Sequence, residues 1–396
     1  MRMKKSSKWL LTGIFGGALI LSTVVAPSAA RASGITVYQN GEKFVKIGGR
    51  IQLQYHYKDP DGGTSTDDVF FRRLRPFIEG SVYKDWFGKF QWDMGKASDG
   101  NEIEIKDAYI EYTGFKGVKV RLGNTYFRFS REALTSSKKQ QLVERTFVGD
   151  HNYGSPDRNA GVAVLGTLMD KKIEYGISVA ASDIDPDQNK LDFDSPVNKN
   201  SDFNQGWMYG GRVSYHPFGF LGLSQGDLSR SEELKATVSV AAFGWNNDGD
   251  NNTYTTGGID DGSGKPDVDN VTGFEMSGAL RYMGASIDAE YNIFNADTVD
   301  NTFTGGIYKN GTTELTNYSV EGGYMLLPER LEAVAGFQSQ DADNYATQWT
   351  RTSFGANLFF HKHDIKVQAT YRIGKNLKGV DNSDEDEVFV QAQYVF

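Results

Sequence analysis

The chain has no cysteine, only 9 prolines in 396 residues, and no run of about twenty apolar residues after its N-terminal segment. Lacking cysteine, it can have neither a disulfide framework nor thiolate chemistry. Lacking a long apolar run, that region cannot cross a bilayer as a helix, although a β-barrel escapes this limit because its lipid-facing residues alternate with lumen residues. No G-x-S-x-G, P-loop or Ser/His/Asp spacing occurs, so the sequence supports no enzyme chemistry and calls for no cofactor. Alternate histidines in "HKH" (361–363) are a weak metal signal, and "DGDNNTYTTGGIDDGSGKPDVDN" lacks the spacing of a calcium loop, so no metal is expected.

Glycine (45) and aromatic residues (13%) are plentiful. The start reads as an export signal: Lys4, Lys5 and Lys8 form a basic head, Trp9 to Ala26 an apolar middle, and "SAARA" a small-residue cleavage site. Cleavage after Ala32 fits best, with Ala30 as an alternative and a retained anchor as the competing reading. Removing residues 1–32 moves the formal charge from −9 to −14, which argues against a nucleic-acid partner.

Period-two alternation then recurs in about sixteen segments, from "VKIGGRIQLQYHY" through "FFRRLRPFIEGSVY" and "DIKVQATYRIG" to the terminal "DEVFVQAQYVF". Short connections such as "KDW", "FKG", "MDK", "MGA", "LPER" and "HKH" alternate with long ones at 58–69, 128–157, 183–203, 247–271, 296–315 and 375–386. Short turns on one rim and long loops on the other are expected of an all-β, antiparallel up-and-down barrel in the bacterial outer membrane. Residues 33–44 would precede the barrel as a periplasmic segment, and 45–396 would form it. Charges largely share one face: in "DIKVQATYRIG", Ile365, Val367, Ala369, Tyr371 and Ile373 face lipid while Lys366, Gln368, Thr370 and Arg372 face the lumen. Two misfits predict local irregularity. Pro76 calls for a bulge or break in its strand, and Arg72, Arg73 and Arg75 cannot all face inward unless the chain is bulged.

The segment "RFSREALTSSKKQQLVERTFVGDHNYGSPDR" (128–158) is net basic in an acidic chain, and "TSSKKQQLVERT" predicts a helix starting near Thr135 to Ser137. Folded into the lumen, it would present Arg128, Arg131, Lys138, Lys139 and Arg145, set against Glu132 and Glu144, to passing anions; a solvated surface helix is the competing reading. Inward wall positions include Arg50, Arg73, Arg75 and Arg121, opposed by acids such as Glu79, Asp107 and Glu111, so mutual salt bridging competes with anion passage as their purpose.

"IGGRIQLQY", "FFRRLRPFIEGSVYKDW", "KDAYIEYTGF", "LTSSKKQQLVER" and the ending "QYVF" together resemble the phosphate-selective porin family (porins O and P). The resemblance implies a sixteen-strand barrel, a homotrimer in the lipid bilayer, a third loop folded inward, and arginines guiding small inorganic anions, phosphate among them. By matching position it gives Arg50, Arg72, Arg73, Lys138 and Arg145 as anion-guiding residues and Asp107 as a candidate acid near the narrow point. The acidic later loops leave a general or cation-preferring porin as a rival, and a secreted β-rich binding protein is the rival from another class.

Overall fold

The computed structural model describes residues 34–95, 103–198, 202–249 and 251–396, so the proposed signal segment lies outside the described residues. Sixteen antiparallel strands form one closed sheet. In chain order they are β1 (Lys43–Pro60), β2 (Thr66–Tyr83), β3 (Trp86–Asp93), β4 (Glu104–Tyr112), β5 (Val118–Tyr126) and β6 (Arg158–Leu168). There follow β7 (Ile173–Asp185), β8 (Asn204–Tyr215), β9 (Lys235–Asn247), β10 (Val268–Tyr282) and β11 (Ala285–Thr298). The remainder are β12 (Thr312–Leu327), β13 (Leu331–Asp341), β14 (Trp349–His361), β15 (Ile365–Lys375) and β16 (Glu385–Val395).

Closure pairs β1 with β16, from Arg50 opposite Val395 to Pro60 opposite Glu385. The apolar terminal strand is thus the last stave, and it leaves no open edge for lipid to desolvate. Phe396 exchanges backbone hydrogen bonds with Gly49 (2.9 and 3.0 Å). A short strand, Ile35–Asn40, folds back on the start of β1 just beyond that point. A methyl on Gly48 would meet the Phe396 carbonyl at 2.6 Å and the Gly34 Cα at 2.7 Å, which is why this junction takes "GG".

The faces are inverted relative to a protein folded in water. Leu53 is 41% exposed while its neighbours Gln52 and Gln54 are 0% and 1% exposed, and Lys366 on β15 is 1% exposed. Apolar side chains face lipid, where an unpaired Lys or Arg at mid-depth costs about 2 to 4 kcal/mol.

Both irregularities in β2 are present, though not where proline alone would put them. Gln52 pairs with Arg73 and Leu53 with Phe71, so the extra residue of the bulge is Arg72. That bulge lets Arg72 and Arg73 both reach inward. Pro76 stays in register opposite Gly49 on the β1 side. On the β3 side the ladder stops at Phe77 opposite Gln91, and the carboxylate of Asp93 accepts from the Leu74 N–H (3.0 Å) in place of a strand partner.

One connection departs from the alternation of short and long. Residues 216–234, between β8 and β9, leave the short-turn rim and enter the lumen, where Gln225 N donates to the Lys139 carbonyl (3.0 Å) and Arg281 holds the carbonyls of Ser224 (2.7 Å) and Gly226 (3.0 Å). Under the long-loop rim the lumen also has an apolar core: Phe243, Trp245 and Phe294 point inward and pack on Phe127, Phe129, Leu191 and Phe193 from two loops.

Candidate functional site

The loop between β5 and β6 folds into the barrel, as expected, but it is not the helix expected over "TSSKKQQLVERT". A single turn, α1 (Arg131–Leu134), is capped by the Ser130 side chain, and a 3-10 turn covers Ser137–Lys139. Residues 140–147 are irregular because the wall supplies the hydrogen bonds that a helix would have made internally. Lys366 Nζ donates to the Gln140 carbonyl (2.9 Å) and Gln368 Nε2 to both the Gln140 and Gln141 carbonyls (3.1 and 3.0 Å). Asn357 also donates to the Gln141 carbonyl (3.0 Å), while Gln225 and Gln338 accept from the N–H groups of Gln141 (2.8 Å) and Phe147 (2.9 Å). Phe129 closes on Phe243 with ring centroids 4.9 Å apart, edge to face. The loop is therefore fastened most densely along β9 to β15, with further bonds from Arg50, Gln54 and Arg72 on β1 and β2, and the open space is left against β1 to β8.

Two cavities lie in the part of that space against β1 to β6. The larger, about 330 Å³, is bordered by Arg50, Lys89, Asp107, Arg121, Ser136, Lys138 and Arg158, among others. The smaller, about 70 Å³ and nearer the long loops, is bordered by Arg72, Arg73, Arg75, Lys106, Arg145 and Arg158. Between them Arg50 Nη1 donates to Ser137 Oγ (2.6 Å), while Tyr126 and Arg158 border both cavities. Lys139 borders neither.

Many of the surrounding charges cancel. Arg75 pairs with Asp93 (2.6 Å), Arg72 with Glu144 (2.8 Å), and Arg121 with Glu111 (2.7 Å). Asp107 is held by both Arg158 (2.7 Å) and Lys89 (3.0 Å), so this acid is over-neutralised. Of the cations bordering these two cavities, four have no ion pair among the described residues. Arg50 bonds only serine hydroxyls, Arg73 only Gln52 (3.1 Å), and Arg145 only the carbonyls of Glu132 and Thr135; Lys138 makes no side-chain hydrogen bond. The Nε atoms of Arg50 and Arg73 are buried with no acceptor. Burial and the nearby Arg50 pull the Lys138 ammonium below its ordinary value, a sign of crowded positive charge.

Residues 45–396 match the family model described as phosphate-selective porin O and P. The chain belongs to that family. Porin O of Pseudomonas aeruginosa is 26% identical, over 92% of this chain and 91% of its own length. Among solved structures, an anion-selective porin from Comamonas acidovorans superposes with a TM-score of 0.58 at 13% identity, covering 90% of this chain and all (100%) of its own. The trimer form of OmpT from Vibrio cholerae does so with a TM-score of 0.55 at 13% identity, covering 89% and 99%. Together with the closed barrel, these place the porin in the bacterial outer membrane, with its short turns on the periplasmic rim.

Sequence reading missed Arg158, Lys89, Lys106 and Tyr126 in this porin. Arg158 stood at the end of a segment read wholly as loop, yet it opens β6 and stacks on Tyr126 with its guanidinium carbon 3.9 Å from the ring centre. Lys89 could have been found from its inward parity with Gln91 and Asp93 on β3.

The loop also carries a titrating anchor. His151 Nδ1 meets Asp192 at 2.6 Å; burial opposes the imidazolium, but Asp192 outweighs it and lifts the His151 pKa from 6.5 to about 9. Because the folded value is raised, this contact contributes fully below about pH 6.5 and is lost as pH climbs through about 9. Phe193 N donates to the His151 carbonyl (3.2 Å). Its exchange protection, corrected for intrinsic rate, is therefore expected to fall between those two pH values, and His151→Gln should flatten the profile.

Proposed function

We propose that this outer-membrane porin passes small anions by diffusion, phosphate among them, and that the residues beside the two cavities select them. The observation that carries the reading is the set of four cations without acid partners among the described residues, Arg50, Arg73, Lys138 and Arg145, bordering the two cavities between loop and wall. At an effective dielectric of about 20, one such charge 4 Å from an anion is worth roughly 4 kcal/mol, enough to replace part of its hydration without trapping it. Arg72, Arg75 and Arg121 would act at one remove, since each is held by an acid, and Lys139 would steer ions without touching them. Asp107, clamped by Arg158 and Lys89, keeps the wall from becoming a sink. The active form is a homotrimer in this reading, supported by the trimeric relative, and residues 1–32 are removed on export, leaving 33–44 on the periplasmic side.

Competition tests the phosphate part. Millimolar phosphate is expected to reduce single-channel chloride current in a saturable way; current that merely follows bulk conductivity would limit the porin to unselective anions. Acid pairs across the short strand Asp192–Asp194, with Asp183 opposite Asp194 and Asp185 opposite Asp192, favour a cation-attracting mouth instead. A cation-selective reversal potential would support that second reading.

A further inference from the structure

On the short-turn side of the loop, a cavity of about 410 Å³ opens against β5 to β8, meeting the larger of the two cavities described above at Arg121. Most charges around it are compensated. Lys119 and Arg121 share Glu111 (3.1 and 2.7 Å), and Arg212 pairs with Glu275 (2.8 Å). Two side chains of opposite sign are not. Arg128, from the start of the loop, and Glu174, on β7, both border the cavity, and neither has an ion pair or hydrogen bond among the described residues. The Nε of Arg128 is buried with no acceptor.

A glycine makes room for the arginine beside the acid's strand. The stem of Arg128 crosses β7 at Gly176, where a methyl would meet Arg128 Cγ at 2.8 Å. Glu174 sits two residues away on the same face, roughly 7 Å along the strand. An α-amino acid carries both complementary charges on one carbon, a carboxylate to accept from the guanidinium and an ammonium to donate to the carboxylate, so one small molecule can answer both unpaired groups of this cavity. Apolar contact is available beside it from Leu134 of α1 and from Leu165 of β6, the register partner of Gly176.

We propose that this cavity is a binding site for a small zwitterionic amino acid, with the carboxylate on Arg128, the ammonium on Glu174 and an aliphatic side chain on Leu134 and Leu165. A plain anion there is repelled by Glu174, and a plain amine by Arg128 and its basic neighbours; only the zwitterion satisfies both. The site is independent of the anion reading of the constriction.

The test uses the whole porin in planar bilayers, recording KCl current while L-leucine, 4-methylpentanoate or 3-methylbutylamine is added to each side in turn. Leucine is expected to reduce the current from one side only, at a concentration at least tenfold below either single-charge analogue. Glu174→Gln should weaken the leucine effect at least tenfold while strengthening that of 4-methylpentanoate, an opposite movement that misfolding does not give. Arg128→Gln should weaken leucine alike, and Gly176→Ala should do so by displacing the arginine stem. Equal potency of leucine and 4-methylpentanoate, or no leucine effect from either side, overturns the proposal. Reversal potentials from the same channels report ion preference separately.

Discussion

A porin carrying Arg50→Gln together with Arg73→Gln is expected to lose roughly tenfold in chloride-over-potassium permeability, read from reversal potentials in a KCl gradient. The two guanidiniums are half of the cations bordering the two cavities that have no acid partner among the described residues, and each sits beside one of them. At 4 Å and an effective dielectric of about 20 each is worth roughly 4 kcal/mol to an ion, and screening by water and salt leaves a fraction of that. Glutamine is shorter and gives up the bonds to Ser137 and Gln52, so Arg50→Lys with Arg73→Lys, which keeps the charge and also alters those bonds, serves as the control and should retain most of the preference. An unchanged ratio would take both residues out of the selectivity account.

Phe129→Ala should enlarge and unsettle the pore. Phe129 is fully buried and packs on Phe243 and Phe294 (centroids 4.9 and 5.7 Å), where its removal costs about 3 to 5 kcal/mol. It belongs to the loop and not to a strand, so the loss falls on loop docking while the barrel's hydrogen-bonded wall stays closed. Single-channel conductance is expected to rise at least twofold, with larger current noise. Unchanged conductance would mean that the wall hydrogen bonds to Gln140 and Gln141 hold the loop without the aromatic contact.

Much of the barrel was legible in the sequence because lipid on one side and water on the other impose strict alternation. Gln52–Leu53–Gln54 and the β15 segment declare their faces without help, and the run "FFRRLRPF" announced a bulge through its consecutive arginines. The terminal strand was legible for the same reason, since closure requires an apolar face up to Phe396.

The interior was less so. Phe243 and Trp245 look like lipid-facing residues, yet they point into the lumen, because alternation names two faces and does not say which is which when both are apolar. The loop's helical signal failed because its hydrogen-bond partners, Lys366, Gln368, Asn357 and Gln338, lie on strands nearly two hundred or more residues away. Residues 216–234 gave no sign of entering the lumen, since polar composition suits either a rim or a plug. At the site, Arg50, Arg73, Lys138 and Arg145 could be marked as cations, but which of them lack acids is settled by tertiary pairing, as is the double clamp on Asp107.

The most direct measurement is the zero-current potential of the unmodified porin in a bilayer separating dilute from concentrated KCl. The account predicts a potential approaching that of chloride, reduced further in size by Arg50→Gln with Arg73→Gln. A potential on the potassium side of zero would contradict it, whatever the barrel's resemblance to its relatives.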